Sequence, residues 1–319
     1  MRTRRVITGG ILAGAVAALA AASPVLADPG TGSLSGSVRD TRGAVVADAE
    51  ILVYPVTPAA GNVAATRTDT AGRFTVTGLE ADSYKIYIGL GGWFEYAPGR
   101  TDSFDAGREY RVAAGRTTVA NSVVTAAGTI KGKVLAASGE PAAGVQVTAE
   151  NDEHAAAWDA TTAADGTYAM RVAPNRDYVV RFTDGHLVQY APATLDREQA
   201  THYVVRAGRT IRVSDRLLPA ASLTGRLVDA AGAPVADAEV HVVTMNAQDF
   251  QATTDGDGRY RIDKLAPGAV KVYFRLADGR LQWAHQKLTY DEADEFTLAL
   301  GTVSTVDDQL LPTLVAAGS

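Results

Sequence analysis

Between residues 34 and 310 apolar and polar residues alternate in short runs, and nowhere do they settle into the three-and-four spacing of a helix. Ala49, Ile51 and Val53 fall on one side of such a run, with Glu50, Leu52 and Tyr54 on the other. Val145, Val147 and Ala149 repeat the pattern, as do Ala238, Val240 and Val242. Period two with one apolar side predicts half-buried β-strands.

The runs recur in the same order three times. Leu34-Ser-Gly-Ser-Val38 returns as Ile130-Lys-Gly-Lys-Val134 and as Leu223-Thr-Gly-Arg-Leu227, just over ninety residues apart each time. Self-similarity at a fixed period sets the architecture before any single residue does. Each copy carries a Gly-bearing turn, Asp69-Thr-Ala-Gly72, Ala164-Asp-Gly166 or Asp255-Gly-Asp-Gly258, between two alternating runs. Glycine at that place predicts a hairpin needing positive φ. The next phrase, Phe74 to Leu79 and then Tyr84-Lys-Ile-Tyr87, predicts two adjacent strands joined by a tight turn, and both other copies repeat it. An aromatic segment and closing strands at 117–124, 210–217 and 303–310 complete the unit. About seven short strands per copy, with turns at this spacing, predict β-sandwiches. The joints, 125–129 and 218–222, are short enough to hold neighbouring copies close, which predicts a semi-rigid rod.

These turn and strand motifs resemble the carboxypeptidase regulatory-like domain, which is close to transthyretin-like and Cna B-type modules and shares a carbohydrate-binding-like fold. The resemblance implies an all-β chain of three tandem seven-stranded immunoglobulin-like/prealbumin-like β-sandwiches. It also implies a secreted surface or matrix protein, an adhesin, a stalk or an appendage to a hydrolase. Because every matching motif is a turn or a core position, it implies a scaffold and no particular ligand.

The first residues differ in kind. Arg2, Arg4 and Arg5 precede an apolar run from Val6 to Ala22, and Val25-Leu26-Ala27 ends in a small-x-small pattern. This predicts an export leader over 1–27, repeats over 28–126, 127–219 and 220–319, and no membrane span once the leader is removed. The chain has 30 basic and 36 acidic residues, for a net charge of -6. The leader arginines supply three of those cations, so an exported chain would carry about -9, a charge that argues against nucleic acid or anionic lipid as partner. With no cysteine, neither disulfides nor thiol chemistry is available.

Catalytic patterns are missing. His154, His186, His202, His241 and His285 form no zinc-ligand spacing, and Gly32-Ser33-Leu34-Ser35-Gly36 puts leucine where a serine nucleophile belongs. Asp255-Gly-Asp257-Gly258 lacks the glycine and glutamate of a calcium loop and reads as a turn. A Lys–Asp isopeptide bond in copy two would use Lys131 or Lys133, Glu150 and Asp215, but strand parity turns both lysines to solvent. No enzyme activity, metal or cofactor is expected.

Aromatic side chains remain as binding candidates. Trp93 and Phe94, peculiar to copy one after Gly89-Leu-Gly-Gly92, and Trp158 in copy two are expected as exposed rings. Tyr96, Tyr190 and Trp283 recur at one place in each copy; they could stack on a sugar, but recurrence favours rings that cap the sandwich core. The expected role is extracellular adhesion, spacing or binding of a glycan or a protein. The alternatives are a carbohydrate-binding accessory to a polysaccharide-degrading, amylase-like system and, last, a hydrolase itself.

Overall fold

The computed structural model describes residues 30–56 and 61–312. The leader, part of the loop from Pro55 to Ala65, and residues 313–319 lie outside the described residues. Module 1 contains β1 (Thr31–Asp40), β2 (Glu50–Pro55), β3 (Ala64–Arg67), β4 (Arg73–Glu80), β5 (Ser83–Gly89), β6 (Phe94–Tyr96), β7 (Tyr110–Arg111), β8 (Thr117–Val119) and β9 (Ser122–Val124). Module 2 repeats the series as β10 (Gly128–Leu135), β11 (Gln146–Asn151), β12 (Ala156–Thr161), β13 (Thr167–Val172), β14 (Arg176–Asp184), β15 (Leu187–Tyr190), β16 (Tyr203–Val205), β17 (Thr210–Arg212) and β18 (Asp215–Arg216). Module 3 does so as β19 (Ala221–Val228), β20 (Glu239–Thr244), β21 (Asp249–Thr253), β22 (Arg259–Leu265), β23 (Gly268–Arg275), β24 (Leu281–Trp283), β25 (Phe296–Leu298), β26 (Val303–Thr305) and β27 (Asp308–Gln309). The chain is therefore three tandem β-sandwiches. Nine segments appear where seven strands were expected because the closing strand is broken in two and β7, β16 and β25 are short additions.

Each sandwich pairs two sheets. In module 1 the first sheet runs β4-β1-β8 with β9 also on β1, and the second runs β3-β2-β5-β6 with β7 on β5. β1 is antiparallel to β4 but parallel to the closing strand. The strand expectation fails in one respect. β3 and β4, read as a hairpin, lie in different sheets, and so do β4 and β5, read as adjacent partners. The turn chemistry itself holds: the Asp69 carboxylate accepts from the Ala71 and Arg73 N–H groups, both at 2.8 Å, and Gly72 has φ of +74°. This turn carries the chain across the sandwich. Two runs with one apolar side each satisfy alternation equally well whether they pair edge to edge or face each other across a core.

The inner faces supply three separate cores, around Leu34, Ile51, Ile86 and Ile88 in module 1, Ile130, Tyr178 and Phe182 in module 2, and Leu223, Leu265 and Phe274 in module 3. The glycine at the centre of each first strand follows from the closing strand. A Cβ at Gly132 would overlap the Val213 carbonyl, and at Gly225 that of Val306. That close approach lets the Tyr168 hydroxyl donate to the Val213 carbonyl at 2.6 Å. At the break between closing segments a side chain caps the first strand: Asn121 accepts from Ser37 N–H at 2.9 Å, and Asp307 from Arg226 N–H at 2.8 Å.

Candidate functional site

The outer face of the second sheet carries the residues that differ most among modules. Register places Leu52, Tyr87 and Tyr96 side by side in module 1, Thr148, Arg181 and Tyr190 in module 2, and His241, Tyr273 and Trp283 in module 3. Tyr96, Tyr190 and Trp283 thus face away from the sandwich core, contrary to the capping role expected of them. The residues before them, Glu95, Gln189 and Gln282, turn the other way and are buried.

In module 1 this face is an aromatic cluster. Tyr87 and Phe94 stack with centroids 4.8 Å apart, Tyr96 meets both edge-on, and Phe104 from the segment after β6 abuts Tyr96 at 5.5 Å. Phe94 is 37% exposed. Together with Asp48, Glu50, Arg67 and the 89–92 glycine segment, Tyr87 and Phe94 line an open groove of about 500 Å³. Arg67 sits 3.1 Å from Asp48 on its rim. Burial, and then the Glu50 carboxylate, push the Tyr87 phenol above its ordinary range, so it stays a hydroxyl donor at any physiological pH. Stacked rings beside carboxylate and guanidinium groups offer both an apolar platform and directional polar contacts.

The equivalent faces are built otherwise. Module 2 replaces the rings with an ionic lattice in which Glu150 contacts Arg181 at 2.8 Å and Arg197 at 3.3 Å, while Arg197 reaches Asp152 at 2.6 Å. Module 3 stacks His241 on Tyr273 at 4.3 Å, but Trp283 is only 8% exposed because Tyr290 lies across it at 5.3 Å. Two buried lysines that the alternating pattern does not single out hold these covering segments. Lys85 Nζ donates to the Phe104 carbonyl at 2.8 Å, and Lys271 Nζ to the Tyr290 carbonyl at 2.9 Å, each also lying over the aromatic ring of that residue. Both lysines stand in the repeated phrase Tyr84-Lys-Ile-Tyr87 and Val270-Lys-Val-Tyr273, where an outward lysine between two core residues gives no sign of the segment that covers it.

The tryptophans expected at the surface meet at the first joint instead. Trp158 is 8% exposed, packs edge-on against Tyr178 in the module 2 core, and donates its indole N–H to the Gly91 carbonyl of module 1 at 2.9 Å. Any Cβ at Gly92, whose φ is +99°, would meet the Trp158 ring, which accounts for the Gly-Gly pair. Trp93 is partly buried against the same core. Both rings are corrected from solvent contacts to joint contacts, leaving Phe94 as the exposed one. Behind them Glu95 accepts from Thr125 N–H at 3.1 Å and from Arg100 N–H, tying β6 to the residue that follows the closing strand. Gln189 makes the equivalent bond to Leu218 N–H at 2.7 Å and Gln282 to Leu311 N–H at 2.8 Å. The second joint adds Lys264 to Asp184 at 2.5 Å and His186 against Phe250 at 4.0 Å.

Among the described residues, no group of His, Cys, Asp and Glu side chains has a metal-binding arrangement, and no helix is long and apolar enough to cross a membrane. Lys131 and Lys133 lie opposite buried Ile130 and Val134, on the solvent side as parity required.

The sequence pattern of the carboxypeptidase regulatory-like domain matches residues 33–125, 129–213 and 222–310. The chain belongs to that family, three times over. No curated protein matches it. Among solved structures it is similar to a streptococcal ancillary pilin at 15% identity and TM-score 0.33, covering 89% of this chain and 100% of that one. It is similar to the minor pilin of Streptococcus agalactiae at 13% identity and TM-score 0.35, covering 60% and 100%. It is also similar to the Bacillus anthracis TIE protein at 14% identity and TM-score 0.26, covering 88% of this chain and 50% of that one. The chain thus spans half the length of the last.

Proposed function

We propose that this chain is an exported, non-enzymatic scaffold that works outside the cell and presents the aromatic groove of module 1 to a glycan. The observation that carries the reading is the stacked Tyr87–Phe94 platform, open to solvent and flanked by Asp48, Glu50 and Arg67. A pyranose ring offers an apolar face of axial C–H groups to such a platform and equatorial hydroxyls to the polar rim. The basic leader with its apolar run supports export. Side-chain contacts across both joints support a spacer of fixed geometry, in which modules 2 and 3 set the groove at a distance from whatever holds the rest of the chain. A protein partner would use the same surface; the acidic charge disfavours nucleic acid.

The test is a pull-down of the purified chain with insoluble polysaccharides, repeated with Phe94→Ala. Retention on at least one glycan, reduced about tenfold by the substitution at unchanged thermal stability, is the expected result, since one stacked ring contributes about 1–2 kcal/mol. Retention on none, or retention indifferent to Phe94, contradicts the groove's role.

A further inference from the structure

We propose a second binding surface, on the first sheet of module 2, that takes an anionic polysaccharide. Lys131 and Arg212 are partners on neighbouring parallel strands, and Lys133 follows two residues along β10 on the same face. The three cations line a groove of about 640 Å³ together with Gly132, Thr161, Thr167, Tyr168 and Ser214. Arg171, opposite Thr129 on β13, extends the same outer face. Among the described residues none of these four cations makes a close ion pair; Asp165 beside them attracts Lys133 and accepts from the Thr167 hydroxyl at 2.6 Å. In a chain of net charge -6, unpaired cations gathered on one face are a local reversal of sign.

The other modules do not share it. The positions of Lys131, Lys133 and Arg212 are held by Ser35, Ser37 and Val119 in module 1, and by Thr224, Arg226 and Thr305 in module 3. Arg226 there donates to the Asp257 carbonyl at 3.0 Å. Since the fold does not need these cations, their cost of mutual repulsion is unexplained by packing.

The chemistry of the groove selects among polyanions. Residues two apart on a strand stand about 7 Å from one another, a spacing that matches charges carried on successive units of a polymer rather than one small anion. The exposed hydroxyls of Thr161 and Ser214 lie beside the cations in the groove lining and suit the neutral hydroxyls of a sugar chain. A nucleic acid duplex would extend beyond the groove over a chain of net charge -6, where repulsion opposes it.

The experiment uses the chain from residue 28, with dextran sulfate as the anionic glycan and unmodified dextran as its neutral counterpart. Binding to dextran sulfate and none to dextran is expected, with affinity falling steeply as salt rises. Lys131→Gln with Arg212→Gln should weaken it at least tenfold and reduce the salt slope by about 1–2, because two fewer counterions are released. Phe94→Ala, on the other module, should leave it unchanged, which separates this surface from the aromatic groove. Equal melting temperatures of variant and parent confirm folding, and Lys133→Gln gives an independent second variant. The proposal is overturned by failure to bind dextran sulfate at low salt, by a double variant that binds as well as the parent, or by tighter binding to single-stranded DNA. It is equally overturned if the cations serve only to join two copies of the chain, seen as self-association that the double variant abolishes in the absence of any glycan binding.

Discussion

Gly132 shows how much a single position decides. Its missing Cβ lets the closing strand approach until Val213 N–H donates to the Lys131 carbonyl at 2.9 Å and the Tyr168 hydroxyl caps the Val213 carbonyl. Gly132→Ala should destabilise module 2 by about 2–4 kcal/mol, because backbone and not a flexible side chain would have to move; Tyr168→Phe should cost only about 1 kcal/mol. Chemical denaturation of both variants checks the order. Asp308 makes the pH prediction. Burial pushes its carboxyl above the ordinary range, against the lowering effect of hydrogen bonds from Gln282 and Gln309 N–H. A raised folded-state pKa means that the folded form binds the proton more tightly than the unfolded one. Asp308 therefore favours folding most at low pH, and that contribution is lost as pH rises through the folded value. Asp308→Asn should melt higher than the parent at about pH 7, with the gap closing as pH falls through the carboxylate range. At this scale the repeated glycines were legible as letters, whereas Lys85, Lys271 and Glu95 were hidden. A polar residue buried by a covering segment or by a joint looks like any other outward residue in an alternating run.

Strands were legible and their partners were not. Every alternating run forms a strand, since period two with an apolar side has one good use in a chain without helical spacing. The pairing of β3 with β4 failed because a turn built on Asp69 and Gly72 looks the same whether it returns within a sheet or crosses to the other. The aromatic segment was located correctly, but its parity was misread. Glu95, Gln189 and Gln282 turn inward to hold the chain as it leaves each module, and that puts Tyr96, Tyr190 and Trp283 outside. Gln189→Ala tests this: it strands the Leu218 N–H and the Arg216 carbonyl, which accepts from Gln189 Nε2 at 3.2 Å. A loss of about 1–3 kcal/mol is expected for buried groups left unsatisfied. Urea melts followed by tyrosine and tryptophan fluorescence measure it.

In the whole molecule, what recurs builds the sandwiches and what differs sets the joints and the grooves. Trp93, Trp158 and the Gly91-Gly92 pair belong to single modules, yet together they make the first joint. Arg42 adds a bond across it, from its guanidinium to the Gly208 carbonyl at 3.3 Å. These contacts were not readable from the sequence because each half lies in a different repeat, 67 residues from the other for Gly91 and Trp158 and 166 for Arg42 and Gly208, and looks like an insertion on its own. The aromatic groove and the basic face are presented as one unit only if modules 1 and 2 are fixed relative to one another. Spin labels on the exposed Val63 and Val204 read this most directly, through the distribution of distances between them. A single narrow distribution in the parent chain, broadened by Trp158→Ala while both modules stay folded, is the predicted result; a broad distribution in the parent chain, unaltered by that substitution, would contradict it.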